Sequence, residues 1–334
     1  MIKIDGKKSG GQALRTSTAL SVLTGQPFKM INIRSSRPNP GLKVQHLEAV
    51  RSLKTLSKAK VKGLKLKSKK LEFIPRKKPH EKPLLKMLNV KIPTAGSIGL
   101  LLQALLLATC QTDEINITVD GGATWNLWAP SVVYLKHVLF PLLWEESKIR
   151  VLRDGFYPRG GSYVRVKTKK LPQTKIDITE PGEIQNINVF SFCSEKLRRQ
   201  NVHVRQAVRA RKLILKQFNI EPYVQNLYSH TLSPGSGLLI YIKTANSVIG
   251  ADAIGELRKS SEAVAEEAFY NLMEEFNGGA VDSHAADMLI PYMGLAGSGR
   301  IKTSRITDHI KSNIDIVEQF IPVKFKIDEN IISL

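Results

Sequence analysis

His309 stands in SRITDHIKSNIDIVEQF, residues 304–320, where Ile310, Ile314, Val317 and Ile321 recur at steps of four, three and four. That spacing puts the four on one face of a helix, and Thr307 or Asp308 is placed to cap its start. His309 then falls in the first turn, beside the apolar stripe. Unpaired backbone N–H groups and the positive helix end there disfavour an imidazolium and favour a phosphate.

Five other segments mix Gly, Arg, His and Gln in ways that packing does not demand. KKSGGQALRTS (7–17) is a glycine turn opening a helix, with Gln12 and Arg15 in its first turns. Such a helix start holds a phosphate through its N–H groups, and Arg15 adds a charged fork; the plain alternative is a tight turn and a surface arginine. In IRSSRPNPGLKVQHLEAV (33–50), Arg34 and Arg37 flank two serines, and a Pro-rich turn leads to a helix with Gln45 and His46 near its start. Two arginines and a helix start converge on one phosphate, with Gln45 and His46 as hydrogen-bond donors, unless the stretch is only a solvated basic loop.

Gln103, in IPTAGSIGLLLQALLL (92–107), is polar in a helix otherwise apolar all round, and a buried amide needs partners. It either satisfies nearby backbone or points into a pocket. Pro130, Tyr134 and two tryptophans make GGATWNLWAPSVVY (121–134) a rigid aromatic loop, suited to the face of a base or to core packing. VDSHAADMLIPYMGLAGSGR (281–300) sets His284 and Asp287 three residues apart on one side of a short helix. Two ligands are too few for zinc, and a ribose or cation contact by Asp287 is more economical.

The elements that must position these residues are held in a chain of 334 residues, 42% apolar and 24% charged, a globular profile. Cys110 and Cys193 give neither a disulfide framework nor metal-ligand spacing, so a reducing compartment is the expectation. MIKIDGKKSGG lacks the apolar core of a signal peptide, and the run IGLLLQALLLATC is interrupted by Gln103 and too short to span a bilayer. A cytoplasmic protein without membrane contact is expected. The formal net charge is +21, and residues 1–91 carry +19 of it, with 23 Lys and Arg against four acids. A field of that sign concentrates polyanions, nucleic acid above all, although a solvated basic face gives the same count.

Period-two runs predict strands at KMINIR, KLEFIP, EINITVD, KIRVL, SYVRVKT, LLIYIKT and VKFKID. Helical patterns lie near 11–24, 43–57, 96–110, 131–146, 195–217, 256–276, 284–294 and 308–320. Helices in twos among hairpin-like strands favour an α+β fold over a doubly wound parallel sheet. Neither GxGxxG after a strand nor GxxxxGK[ST] occurs, so the common nucleotide folds have no support. No exact internal repeat is visible. Pro and Gly punctuate ITEPGEIQ (178–185) and Gly punctuates NGG (277–279). These mark residues 183–276 as an inserted smaller α/β domain, and 1–182 plus 277–334 as the large domain.

In this order, IDG…SGGQALRTS, LTGQPF, IRSSRPNPGLKVQHL, TAGSIGLLLQALL, VDGG, GFYPRGG, HAADMLIPYMGLAGSG and HIKSNIDIVEQFIPVKF resemble the RNA 3′-terminal phosphate cyclase family nearly end to end. The resemblance implies three repeated units, each of two helices and a four-stranded sheet, with a smaller domain inserted before the last unit. It implies ATP and an RNA bearing a 3′-terminal phosphate as partners, converted to a 2′,3′-cyclic phosphate, AMP and pyrophosphate through a covalent histidyl-AMP. His309 falls on the nucleophile's position. Gln103, Pro130, Tyr134 and the segment His284, Ala285, Ala286, Asp287 and Met288 resemble the nucleotide pocket, with His284 and Pro130 on opposite sides of the adenine. Arg15, Arg34, Arg37, Gln45 and His46 resemble the group that receives triphosphate or the RNA terminal phosphate.

A divalent metal, Mg or Mn, is implied as well, but the family's glycine-loop glutamate is replaced here by Lys8, so its ligands are unassigned. HAADM carries Met288 where the family has glutamine, and GGATWNLWAP and IGELRKSSE also depart from the family pattern. Two rival functions stay open at this level. One is a non-catalytic cyclase-like protein of RNA binding or ribosome assembly; the other is an adenylyltransferase acting on other nucleic-acid phosphate ends.

Overall fold

The N-terminal segment runs strand, helix, strand, helix, hairpin. In a computed structural model these are β1 (Ile2–Asp5), α1 (Gln12–Thr24), β2 (Phe28–Ile31), α2 (Val44–Ser57), β3 (Lys60–Lys62) and β4 (Leu71–Ile74). The structure describes residues 1–7, 10–76, 85–127, 129–144, 148–172 and 175–334. The same order returns in β5 (Met87–Ser97), α3 (Ile98–Thr109), β6 (Glu114–Ala123), a second helical stretch, and the hairpin β7 (Ile149–Arg153) and β8 (Tyr163–Lys169). That helical stretch is α4 (Val132–Tyr134), a π turn over Leu135–Leu139, and α5 (Phe140–Leu143).

A third unit opens with β9 (Ile176–Ile178) and is at once interrupted. The interruption comprises β10 (Ile184–Ser194), α6 (Val202–Phe218), β11 (Tyr223–Ser229), β12 (Ser236–Thr244), β13 (Val248–Ile254) and α7 (Ser261–Gly278). The unit then completes itself with α8 (Ser283–Ala296), β14 (Gly299–Lys302), α9 (Asp308–Phe320), β15 (Lys326–Asp328) and β16 (Ile331–Ser333).

Sheet topology exposes a repeat that residue identities conceal. The three sheets are ordered β1-β2-β4-β3, β5-β6-β8-β7 and β9-β14-β16-β15. In each, the first two strands are parallel and the other two pairings antiparallel. The interrupting residues form a fourth sheet, β11-β10-β12-β13, with its own core in which Ile187, Leu238, Ile240 and Ile242 pack on Ile214, Phe269 and Leu272. The fold is α+β with repeated units, as expected, and no helix among the described residues is long and apolar enough to cross a membrane.

Differences from the sequence pattern have local causes. The strand read at KMINIR stops at Ile31 because Asn32 and Arg34 both adopt φ 53°, which turns the chain. The helix read over 195–217 is a 3-10 turn and then α6, separated by left-handed Asn201. The helix read from 256 begins at Ser261, where the Ser260 side chain accepts from the Ala263 N–H at 3.0 Å. The last part of the 131–146 pattern lies outside the described residues. Strands such as β1, β3, β9, β14 and β16 are only three or four residues long, too short for a period to register. β10 and β13 are buried along most of their length, which removes the alternation.

First and last units share one core. Phe28 of β2 stacks on Phe73 of β4 at 6.0 Å and meets the edge of Phe320, at the end of α9, at 6.1 Å. The three rings therefore fix where α9 lies against the first sheet. Replacing buried Phe28 by alanine should destabilise the protein by about 3–5 kcal/mol in urea unfolding. A double cycle with Phe320→Ala should return a coupling of about 0.5–1.5 kcal/mol. Strict additivity would dissociate the aromatic cluster from the seating of α9.

Candidate active site

In the first two units each helix follows one of two parallel strands, and in the last α9 follows β14, so these helices run back across their sheets in one sense and begin at the same edge, where α8 joins them. One cleft of about 520 Å3 gathers all these beginnings. Its walls include Gly11, Gln12 and Arg15 at the start of α1, Lys43, Gln45 and His46 at α2, and Ser97 and Leu100 at α3. Pro130 just before α4, His284 and Asp287 on α8, and His309 on α9 complete it. Each helix start acts as roughly half a positive charge. The start of α1 keeps its N–H groups free of any side-chain cap, because its N-cap is Gly11.

His309 sits in the first turn of α9, whose N-cap Thr307 accepts from the Ile310 N–H at 3.2 Å. Its Nδ1 bonds the Oε1 of Gln12. An amide oxygen only accepts, so Nδ1 carries the proton and the lone pair is left on Nε2. The orientation of the Gln12 amide is itself fixed, because its nitrogen donates to the Oδ1 of Asp287 and to the His309 carbonyl, the latter at 3.2 Å. Asp287 is held in turn by Asn313 Nδ2, at 2.6 Å to Oδ1 and 2.8 Å to the carbonyl. Asn313 Oδ1 accepts from Thr16 at 2.8 Å. A chain of oriented polar groups thus runs from α1 and α8 to one tautomer of one histidine.

Burial and charge favour the neutral ring. Burial, and next the electrostatic influence of Arg15, His284 and Arg37, lower the His309 pKa below 6.5, and Asp308 opposes them. Burial and the charges of Arg15, Arg34 and Lys43 push His46 down to about 3; its Nδ1 accepts the Lys43 N–H at 3.1 Å. Arg15 is buried, lowered to about 10 by that burial, and remains a cation at neutral pH. It has a long 3.5 Å bond to Gln103 Oε1, and its buried Nε has no protein partner. Burial raises Asp287 to about 6, against the pull of Arg15 and His284.

The sequence-derived residues divide into three groups. Arg15, Arg37, Gln45, His46, Gln103, Pro130, His284, Asp287 and His309 all line the cleft. Arg34 lines it too, but its Nη1 donates to the carbonyls of Asn39 at 2.9 Å and Gly41 at 2.8 Å, so it also holds its own loop together. Tyr134, Ala285, Ala286 and Met288 do not line it. Tyr134 is buried beneath, donating to Asp282 Oδ1 at 2.5 Å with its ring edge towards His284 at 6.4 Å. Burial, and next the Asp282 charge, hold that phenol well above its usual range. Ala285 and Ala286 are wholly buried, and Met288 borders a separate hollow of about 30 Å3 beside Arg15 and Gln103. Lys8 and Trp128 lie outside the described residues.

Gln12, Asn313, Lys43 and Asp252 were not among the site residues read from sequence. Gln12 was visible in the glycine turn, and Asn313 carries a faint signal, a polar residue four after His309 on the buried side of α9. Asp252, on β13, accepts from the Ser131 N–H at 3.0 Å and braces the loop carrying Pro130. No pattern in the sequence marks it. Two glycines keep the walls in place. A Cβ on Gly11 would stand 2.3 Å from His46 Nε2, and one on Gly99 2.2 Å from the Pro130 carbonyl oxygen.

No group of three or more His, Cys, Asp or Glu suited to a metal ion occurs among the described residues. The cleft's carboxylate, Asp287, is engaged by Gln12, Asn313 and the charge of Arg15. That donor set does not make a protein cage for Mg or Mn.

A repeated α+β scaffold whose helix starts surround a neutral histidine defines a class of phosphate-handling protein. Comparison with known families makes it specific. The profile described as RNA 3′-terminal phosphate cyclase matches residues 7–327. RNA 3′-terminal phosphate cyclase of Thermococcus onnurineus is 39% identical over 336 residues, covering 98% of this chain and 96% of its own. Those of Pyrococcus furiosus and Saccharolobus solfataricus are 38% and 36% identical, each covering 98% of this chain and 95% and 96% of their own. The chain belongs to the RNA 3′-terminal phosphate cyclase family, a family of enzymes.

Nitrogen-15 NMR should find His309 with a midpoint below 6.5, its proton on Nδ1 above that midpoint. Arg15→Met should raise the midpoint, because it removes a nearby cation. A midpoint at or above 6.5 in the unmodified protein would contradict the electrostatic reading.

Proposed function

We propose that this protein uses ATP to convert an RNA 3′-terminal phosphate to a 2′,3′-cyclic phosphate, with His309 as the nucleophile. The large unit, residues 1–182 plus 277–334, carries the chemistry, and residues 183–276 form an inserted domain that braces it through Asp252. The observation that supports the reading most is the Gln12–His309 contact, which leaves the Nε2 lone pair for the cleft where the helix starts converge.

His309 Nε2 attacks the α-phosphorus of ATP; a P–N bond forms, the P–O bond to pyrophosphate breaks, and pyrophosphate departs. Helix starts and Arg15 stabilise the oxygens on which charge gathers. An oxygen of the RNA 3′-phosphate then displaces the histidine, making a phosphoanhydride and restoring the imidazole. The neighbouring 2′-oxygen attacks the 3′-phosphorus, AMP leaves, and the hydroxyl proton passes to water. Splitting activation from transfer divides one hard step into easier ones. Pro130 and His284 take the adenine, with Gln103 beside them; Arg37, Lys43, Gln45 and His46 take the phosphates. A divalent ion, if used, would arrive on the triphosphate, and no step here is assigned to it.

DNA with a 3′-phosphate lacks the 2′-hydroxyl, so it would stop at the adenylylated end. Incubation of the protein with ATP, followed by intact mass measurement, tests the first step. An added AMP is expected, and its absence under metal-replete conditions would favour a non-catalytic relative. His309→Ala should abolish the AMP adduct, and labelling equal to wild type would exclude His309 as nucleophile. The labelling rate should be level above neutral pH and fall on acidification below 6.5, as the imidazole gains its proton. Gln12→Leu should slow labelling by on the order of 10²-fold and shift the Nδ1/Nε2 proton balance seen by nitrogen-15 NMR. A slowed enzyme with an unchanged tautomer would assign Gln12 a merely structural part. Arg37→Ala should raise the KM for RNA roughly tenfold or more by removing one charge-assisted bond.

A further inference from the structure

Residues 54–76 hold eight lysines and Arg76 against a single acid, Glu72. All eight lysines are exposed, and among the described residues the ion pair they make is Lys62 to Glu72 at 3.9 Å. Lysine on an edge strand is a common guard against sheet-to-sheet association, and β3 is the outer strand of its sheet. That need is met by Lys60 and Lys62 alone. It leaves unexplained Lys54 and Lys58 at the end of α2, and Lys65, Lys67, Lys69 and Lys70 in the loop after β3.

This basic ridge is continuous with the cleft. The Lys69 carbonyl accepts the Ile33 N–H at 3.0 Å, the Ser68 carbonyl accepts the Leu42 N–H at 3.1 Å, and Lys67 N–H donates to the Leu42 carbonyl at 2.9 Å. The lysine loop is thereby pinned along the segment that carries Arg34 and Arg37 into the cleft. α2 makes a second connection. Lys43 at its start lines the cleft, and Lys58 lies at its far end, about 20 Å away at 1.5 Å per residue.

We propose that this ridge binds the phosphodiester backbone of the RNA on the 5′ side of the reacting end, over a length of up to about six phosphates. The proposal rests on the reading of the cleft as an RNA-end site. Backbone phosphate is the partner because the ridge offers spaced point charges on a rigid edge, all but Lys62 unpaired among the described residues, and no exposed aromatic ring within residues 54–76.

The test replaces Lys58, Lys60, Lys62, Lys65 and Lys69 by glutamine, with the same five changed to arginine as the charge-preserving control. Labelling by ATP and the KM for a 3′-phosphorylated dinucleotide are expected to match wild type. The KM for a long 3′-phosphorylated RNA should rise about tenfold or more, and the slope of log affinity against log salt should shrink by about 0.7 for each phosphate that is no longer neutralised. The arginine set should behave as wild type. Equal effects on dinucleotide and long RNA, or no effect on either, would overturn the proposal. If the unmodified protein neither takes AMP nor cyclises, the cleft reading fails, and the ridge is judged on binding of the same long RNA at low salt. Weaker binding by the glutamine set supports the ridge, and equal binding removes it.

Discussion

The arrangement depends on a crowd of partial positive charges that the fold forces to one point. Three units of one topology each deliver two helix beginnings to a common edge, and arginines and a lysine join them there. Such a field is costly without an anion, and the two histidines record part of that cost on top of their burial. Burial first, and then Arg15, Arg34 and Lys43, hold His46 down to about 3; burial first, and then Arg15, lowers His309; Arg15 itself is reduced to about 10 by burial. Asp287 supplies a local counter-charge, and burial raises even this carboxyl to about 6. An anion in the cleft would offset the repulsion among these positive groups, and would draw the pKa values of both histidines back upward.

Precision comes from a different source. Burial and the nearby charges disfavour protonation of His309 but do not say which ring nitrogen is free. Amide and carboxylate groups decide that, because each member of the Asn313–Asp287–Gln12–His309 chain has only one way to satisfy its neighbour. The chain draws on α1, α8 and α9, two of them from the last unit and one from the first, and the packing of Phe28 with Phe320 seats α9 against the first sheet.

Much of this was legible before any fold was known, and the limits were physical. Residues with unusual chemistry in a helix's first turn, such as His309, His46 and Arg15, announce themselves because packing gives no reason for them to be there. Gln12 and Asn313 do not, since a lone amide has meaning only when its partner, distant in sequence, is brought within reach. Tyr134 and Met288 look like pocket residues by position, yet their size and apolarity draw them beneath the cleft floor. The repeat was invisible because equal topology needs only equal order of short strands and helices, and the short strands leave no period to read. Asp252 was hidden for another reason: it acts across the junction between β13 and the loop before α4, and junctions carry no local pattern.

The interruption between β9 and α8 sets an order of events during synthesis. β9 leaves the ribosome more than a hundred residues ahead of β14, its partner, and the intervening chain has a core of its own to build in the meantime. The first two units therefore emerge with the arginines, His46 and Gln12, while Asp287, Asn313 and His309 are still untranslated. A truncated product would present the converging helix starts of two units alone, and only the final helix brings His309 to them.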